Sequence, residues 1–292
     1  MAMIDAQTRL FAVIGNPLGH SLSPVLHNTF LSTLGINGVY VALPIEDGRL
    51  EQAVAGLFAA GLGGVNVTIP YKEAVIPYLK ALTPQAQACQ AVNTLIPADE
   101  GFIGDNTDGA GLLAALEEEH GWQACGRRIL LAGAGGAAKG VATALALAGA
   151  EEIMVVNRSL ARAEALAQWI GQLGSTRGQA LPQEALAEKA IYAHCDTIIN
   201  TTSVGMSPQV EAMIPLRTAY LTTEHLVADI IYNPLETRLL REARQQGART
   251  SSGLGMFIHQ GALSLEKWLG VRPQTQPLYE KLREILMQRN GR

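Results

Sequence analysis

Four short polar runs in the first third of the chain gather the side chains that could do chemistry. They are Ser21-Leu22-Ser23, Asn66-Val67-Thr68-Ile69-Pro70-Tyr71-Lys72, Ala91-Val92-Asn93-Thr94 and Gly104-Asp105-Asn106-Thr107-Asp108-Gly109. Together they offer hydroxyls, carboxamides and carboxylates, and Lys72 is the only lysine or arginine among them. That inventory suits recognition of a polyhydroxylated carboxylic acid and a proton transfer. It does not suit acyl or metal chemistry, because no set with metal-ligand spacing is present. Two near matches fail on single residues. Gly19-His20-Ser21-Leu22-Ser23 lacks the final glycine of a nucleophile elbow. Asp105 to Glu117 has the span of a calcium loop, but Thr107, Gly109 and Leu116 stand where oxygen ligands or glutamate are needed. The histidines, His20, His27, His120, His194, His225 and His259, show no ligand spacing and read as structural or surface groups.

A second chemistry-bearing segment is Gly133-Ala134-Gly135-Gly136-Ala137-Ala138. It matches G-x-G-x-x-G/A between an apolar run and a helical pattern, the context that a dinucleotide fingerprint requires. Gly133 permits the tight turn, Gly135 lets backbone N–H groups approach a pyrophosphate, and Ala138 keeps helix and strand close. The helix N-terminus adds positive potential. A P-loop is excluded because Ala138 replaces its last glycine and Gly140 its magnesium-binding hydroxyl. The following strand ends in Val156-Asn157-Arg158-Ser159, with Arg162 one turn on. An NAD site usually has an acid there for the ribose hydroxyls. Here two guanidiniums at i and i+4 can converge on one phosphate, which favours NADP.

The elements that must carry these residues alternate. Leu10–Ile14 reads as a strand, Pro24–Leu34 as a helix, Val39–Leu43 as a strand, Leu50–Ala60 as a helix and Val65–Ile69 as a strand. Gly111–His120 reads as a helix leading into a second alternation. There, Ile129–Ala132 and Ile153–Val156 are strands, Ala137–Leu147 and Ala161–Leu173 helices, and Thr197–Ile199 and Leu226–Ile230 further buried strands. Such alternation implies β-α-β units and parallel sheets. Phe257–Trp268 and Leu278–Met287 read as closing helices. The expected fold class is α/β: two α/β domains around a cleft, the second a Rossmann-type doubly wound parallel sheet. The first domain is expected to comprise residues 1–107 plus 253–292, and the second residues 108–252.

Composition narrows the partners. The chain has 292 residues, 48% hydrophobic and 16% charged, so it can bury substantial cores and is not low-complexity disorder. Its 22 basic and 26 acidic residues leave a net charge of -4, with no surplus to hold nucleic acid and no polybasic membrane anchor. The apolar stretch Ile129–Ala150 resembles a membrane span only superficially, being broken by glycines and by Lys139. Three cysteines without a C-x-x-C pair fit a reducing, cytoplasmic setting. The expected partner is a small-molecule substrate, with no nucleic acid, no membrane, and the chain acting as monomer or homodimer.

Taken in order, these runs resemble the shikimate dehydrogenase family over essentially the whole chain. The resemblance rests on Gly15-Asn16-Pro17 with Ser21-x-Ser23-Pro24, on the Asn66–Lys72, Ala91–Thr94 and Gly104–Gly109 runs, and on Gly133-Ala134-Gly135-Gly136. Asn157-Arg158-x-x-x-Arg162-Ala163 and Gly253-Leu254-Gly255-Met256 extend it. It implies reversible, NADPH-dependent reduction of 3-dehydroshikimate to shikimate in aromatic amino-acid biosynthesis. It further implies that Lys72 and Asp108 are the catalytic pair and that Ser21 and Ser23 bind the substrate carboxylate. Asn66, Thr68, Asn93 and Gln260 would contact ring hydroxyls or the reacting region, and Tyr232 would lie near the carboxylate. NADP(H) would be held by Gly133, Ala134, Gly135, Gly136, Ala137, Asn157, Arg158, Arg162 and Gly253. Lys139, where the family often has arginine, and Ser159, where threonine is usual, depart mildly from the pattern.

Singly, several of these residues have plainer readings. Ser23 could be a helix N-cap, Asp108 could cap the next helix, and Asn66 and Asn93 could satisfy turns. Two other functions compete with the first. A quinate/shikimate dehydrogenase with relaxed NAD/NADP use would tend to carry an acid where Asn157-Arg158 stands. A non-catalytic homologue sensing cofactor or metabolite would have lost Lys72 or Asp108, and both remain.

Overall fold

A run such as Leu10–Ile14, apolar at every position, marks a strand covered on both faces. The computed structural model, which describes residues 4–290 and their side chains through 288, places it in β1 (Arg9–Gly15). There follow α1 (Ser23–Thr33), β2 (Gly38–Pro44), α2 (Leu50–Ala59), β3 (Gly64–Val67), β4 (Ala81–Leu82), α3 (Pro84–Cys89), β5 (Thr94–Ala98) and β6 (Gly101–Asp105). The strands form one sheet in the order β2-β1-β3-β5-β6-β4. The sheet is mixed, not wholly parallel as the alternation implied: β5 runs antiparallel to both β3 and β6. The cause is a two-residue hairpin, Asp99-Glu100, closed by Gly101 at φ 151°, a short turn without a crossover helix. β3 also ends at Val67, two residues earlier than expected, and Pro70 beyond it has no N–H to continue the ladder.

The remaining elements are α4 (Asp108–His120), β7 (Arg128–Ala132), α5 (Gly136–Leu147), β8 (Glu152–Val156), α6 (Leu160–Ile170), β9 (Arg177–Leu181), α7 (Lys189–His194) and β10 (Thr197–Asn200). Then come β11 (Leu226–Asp229), α8 (Arg238–Gln245), β12 (Arg249–Ser251), α9 (Gly253–Leu269) and α10 (Gln276–Asn290). The second sheet has the order β12-β11-β10-β7-β8-β9 and is parallel throughout. Two units result: the chain through Thr107 with Gln260–Leu278, and Asp108–His259 with the chain from Tyr279 on. α9 therefore begins in the second unit and ends in the first.

Each unit has its own core. In the first, Ala12, Ile14, Val65 and Val67 meet α2 and α3 through Leu50, Val54 and Ala86. On the other face, Trp268 of α9 stacks on Phe11 at 5.5 Å and donates from Nε1 to the Leu95 carbonyl at 3.0 Å. A Cβ at Gly64 would fall inside the Trp268 ring, so that glycine makes room for the indole. In the second unit the strand residues alternate strictly. Ile129, Leu131, Ile153 and Val155 pack with α4, α5 and α6, while Leu130, Ala132, Met154 and Val156 pack with Tyr192, Leu239 and Leu240. The stretch that resembled a membrane span is β7, the glycine turn and α5. Among the described residues no helix is long and apolar enough to cross a membrane.

Candidate active site

In the first unit the candidate residues sit at strand ends and hold one another. Asn66, 7% exposed, lies in β3. Its Oδ1 accepts from the Tyr40 hydroxyl at 2.8 Å, and its Nδ2 donates to the Asn93 carbonyl and to Ser264 Oγ, each at 3.0 Å. Asn93, 2% exposed, accepts on Oδ1 from the Thr107 N–H at 2.9 Å and from Thr94 Oγ1 at 2.8 Å. Its Nδ2 donates to Thr107 Oγ1 at 2.9 Å and reaches Gln260 Oε1 at 3.5 Å. Below them Asp105, buried, accepts from Thr83 Oγ1 and the Asn106 N–H and pairs with Lys267 at 2.8 Å, which pins the loop before Asp108. The backbone of half-buried Lys72 joins the same framework, for its carbonyl accepts from the Val92 N–H at 2.7 Å.

The serines lie at the other end of this unit's candidate set. Ser21 Oγ accepts from the Ser23 N–H at 3.2 Å, and Ser23 is the first residue of α1, whose N-terminus has no side-chain cap. Ser23 is thus not an N-cap, and a helix start with its positive potential stands beside two hydroxyls. Gly15, at the end of β1 where the chain leaves for Ser21, lies against Thr68: a Cβ there would lie 2.5 Å from Thr68 Cγ2. Asn66, Asn93, Gln260 and the Lys72 backbone are therefore gathered, with Thr68, Ser21 and Ser23 along the same carboxyl edge of β1 and β3. His27, stacked on Tyr40 at 4.2 Å, is fully buried, and burial pushes its pKa down to about 3 against a smaller opposing effect of the Asn66 side chain.

In the second unit Asp108 is buried and opens α4. Gly133, at φ 115°, donates to the Val156 carbonyl at 2.8 Å, and a Cβ there would lie 2.5 Å from Thr201 Oγ1. Gly135 precedes α5 and is exposed, and a Cβ built there meets nothing within 4 Å. The turn therefore presents bare backbone and an uncapped helix start to whatever approaches from outside. Ala134, Gly136 and Ala137 are half-buried and Ala138 fully buried. At the end of β8, Asn157 Nδ2 donates to the Ser159 carbonyl at 3.1 Å. Arg158 and Arg162 are exposed, and neither makes an ion pair among the described residues. An open glycine cradle, an uncapped helix start and two unengaged guanidiniums without a carboxylate at the strand end fit a dinucleotide carrying an extra phosphate.

Tyr232 is half-buried and stacks on Phe257 at 4.5 Å, while Gly253 is buried, its α-carbon pressed on the Ile230 carbonyl. The packing of Gly253 is sufficient reason for a glycine there. Sequence reasoning passed over Tyr40, which reads as strand core, and Ser264, which lies one turn after Gln260 on α9. It also passed over Asn200-Thr201-Thr202-Ser203 and Asp229. A polar run directly after an apolar strand was the available signal for the former. Burial raises the Asp229 carboxyl to about 6, against hydrogen bonds from Ile231, Thr237 and Asn200 that favour its charged form.

Known proteins resemble the chain along its length. Residues 13–95 match the family model of the shikimate dehydrogenase substrate binding domain, residues 115–211 that of shikimate / quinate 5-dehydrogenase, and residues 253–283 that of the shikimate 5'-dehydrogenase C-terminal domain. A shikimate dehydrogenase (NADP(+)) of Geobacillus sp. strain WCH70 is 45% identical over 92% of this chain and 95% of its own. A shikimate dehydrogenase solved in complex with NADP+ is 38% identical with a TM-score of 0.89, covering 98% of this chain and 97% of that one. The Listeria monocytogenes shikimate 5-dehydrogenase, solved with shikimate and NAD, is 35% identical with a TM-score of 0.90 over 97% of this chain and 99% of that one.

Proposed function

The chain belongs to the shikimate dehydrogenase family, and from that premise we propose which of its residues carry the NADP-dependent, reversible reduction of 3-dehydroshikimate to shikimate. When bound, NADPH supplies the hydride that converts the ring ketone to an alcohol. The chain's own residues bind, orient and move a proton. Negative charge builds on the carbonyl oxygen as the ketone is reduced, so a positioned acid lowers the barrier. Lys72 Nζ donates that proton, and in the reverse direction takes it back from the alcohol. Asp108 is the second member of the catalytic pair and holds a substrate hydroxyl. Asn66, Thr68, Asn93 and Gln260 receive the ring hydroxyls and the reacting region. Ser21 and Ser23 hold the carboxylate as neutral donors at the start of α1, and Tyr232 is a further residue for that carboxylate. Gly133 to Ala137 hold the pyrophosphate and Asn157, Arg158 and Arg162 the 2′-phosphate.

One observation carries the substrate half of this reading. The Asn66–Asn93–Thr107–Gln260 network is neutral, buried at Asn66, Asn93 and Thr107 and half-buried at Gln260, and Lys72 is tied by its backbone to the same segment. Neutral amides and hydroxyls in fixed orientation recognise a polyol, and Lys72 on the same segment has a proton to give. The enzyme works on a free metabolite in the cytoplasm, with neither nucleic acid nor membrane, as a monomer or homodimer. Initial rates for shikimate and quinate, each with NADP and NAD, test the reading. Shikimate with NADP should give the highest kcat/KM of the four pairs. A higher value for quinate, or for NAD, would overturn the assignment of the binding residues.

A further inference from the structure

We propose that Asp229 is a positioning residue for the nicotinamide end of the cofactor site, acting through Asn200 on the loop 201–206. The proposal rests on the cofactor reading above. From β7 the chain passes to β8 and β9 on one side, then returns to β10 on the other side of β7. The carboxyl ends of β7 and β10 thus flank the point where strand order reverses, the place where open α/β sheets bind their ligands. Arg158 and Arg162 put the adenosine phosphate at the end of β8. A dinucleotide crossing the sheet edge from there meets the loop after β10 with its other end. That loop, Thr201-Thr202-Ser203-Val204-Gly205-Met206, exposes Val204 and Met206, apolar surface suited to a flat ring.

The loop's shape is set from beneath. Thr201 Oγ1 donates to the Ala132 carbonyl at 2.7 Å. Asn200 Oδ1 accepts from the Thr202 N–H at 3.1 Å and the Thr202 hydroxyl at 2.8 Å, and Thr202 Oγ1 accepts from the Val204 N–H at 3.1 Å. An asparagine amide has two orientations, and only one presents its oxygen to Thr202. Asp229, 1% exposed, selects it, because its Oδ1 accepts from Asn200 Nδ2 at 3.1 Å. The same oxygen accepts from the Ile231 N–H at 3.1 Å, and Oδ2 accepts from Thr237 Oγ1 at 2.8 Å, at the cap of α8. One buried acceptor therefore fixes the exits of β10 and β11 together.

Calorimetric titration with NADP and with adenosine 2′,5′-bisphosphate, which lacks the nicotinamide half, tests this without turnover. Asp229→Ala should weaken NADP about tenfold while leaving the bisphosphate within about twofold, the scale of one buried hydrogen bond. Asp229→Asn keeps an acceptor oxygen for Asn200 and can donate to Thr237, so it should restore NADP affinity. Thr202→Val leaves Asp229 in place and should give the same split on a smaller scale, which decides the matter if Asp229→Ala does not fold. Equal weakening of both ligands, no weakening of either, or no rescue by Asp229→Asn overturns the proposal alone. A wild-type protein that does not bind the bisphosphate overturns the cofactor reading, and this proposal with it.

Discussion

In the first unit Asn66 and Asn93 are almost fully buried, and the oxygen and nitrogen of each amide have a partner on Tyr40, Thr94, Thr107, Gln260, Ser264 or the Asn93 backbone. In the second, Arg158, Arg162 and Gly135 stand exposed, and neither arginine is paired among the described residues. The first arrangement spends its polar groups on orientation before any ligand arrives, which lowers the cost of ordering a hydroxylated ring. The second leaves cations hydrated and relies on the charge of the incoming phosphate. Neutral groups need fixed geometry to discriminate, whereas charge acts over longer distances and tolerates motion.

Each half can be broken separately. The largest effect is expected from Lys72→Ala, which should cut kcat at least 100-fold, at the lower end of the general-acid range of about 10²–10⁴. KM for shikimate should move far less, because the hydroxyl and carboxylate anchors remain. A kcat within about threefold of wild type would sink the catalytic role. Next is Arg158→Ala. A charge-assisted hydrogen bond to phosphate contributes roughly 1.5–3 kcal/mol, so KM for NADP should rise about 10- to 150-fold with KM for NAD nearly unchanged. Equal rises for both cofactors would remove Arg158 from the 2′-phosphate.

The neutrality of the first unit has its own test in acid. His27 stays uncharged in the fold down to about pH 3, whereas in the unfolded chain it takes a proton below about 6.5. Its share of stability is complete above pH 6.5 and is lost as pH falls from there toward 3, by up to about 1.4 kcal/mol, or tenfold, per pH unit. Urea titrations of His27→Phe should therefore show a shallower loss between pH 6.5 and 4.5 than wild type, and parallel losses would assign the acid sensitivity elsewhere. The smallest effect is expected from Tyr40→Phe, which removes the donor that fixes the Asn66 amide. Shikimate affinity should fall by about 1 kcal/mol, roughly fivefold, with NADP affinity untouched. A change in NADP binding would show that the halves are not separable.

The second sheet was legible because its strands are short continuous apolar runs and its glycine turn lies between strand and helix in the required order. The first sheet was legible only in part. β5 and β6 are short, are interrupted by Pro97 and Gly104 and are joined by a two-residue turn, so periodicity gave no sign of the hairpin. The residues that resemble the family were legible as polar runs beside short apolar strands. Their supports were not, because Tyr40 and Ser264 owe their importance to distant partners: Ser264 is 198 residues from Asn66. Asp229 was missed for the same reason, since a carboxylate at the end of an apolar strand reads as the strand's end until Asn200 and Thr237 are seen beside it.

Ser264, Lys267 and Trp268 have a consequence for how the protein is made. All three come from the last tenth of the chain, and they complete a sheet whose first strand begins at Arg9. The second unit's sheet, by contrast, is finished at Ser251 by a contiguous stretch. Domains emerging during synthesis generally fold from the N-terminus onward. For the two sheets the order is reversed. While the nascent chain is still growing, the middle of the polypeptide can close its parallel sheet, but the earlier-made sheet lacks the indole that fills its face and the hydroxyl that joins Asn66 to Thr94. The sheet that is synthesised first is thus completed after the sheet that is synthesised second.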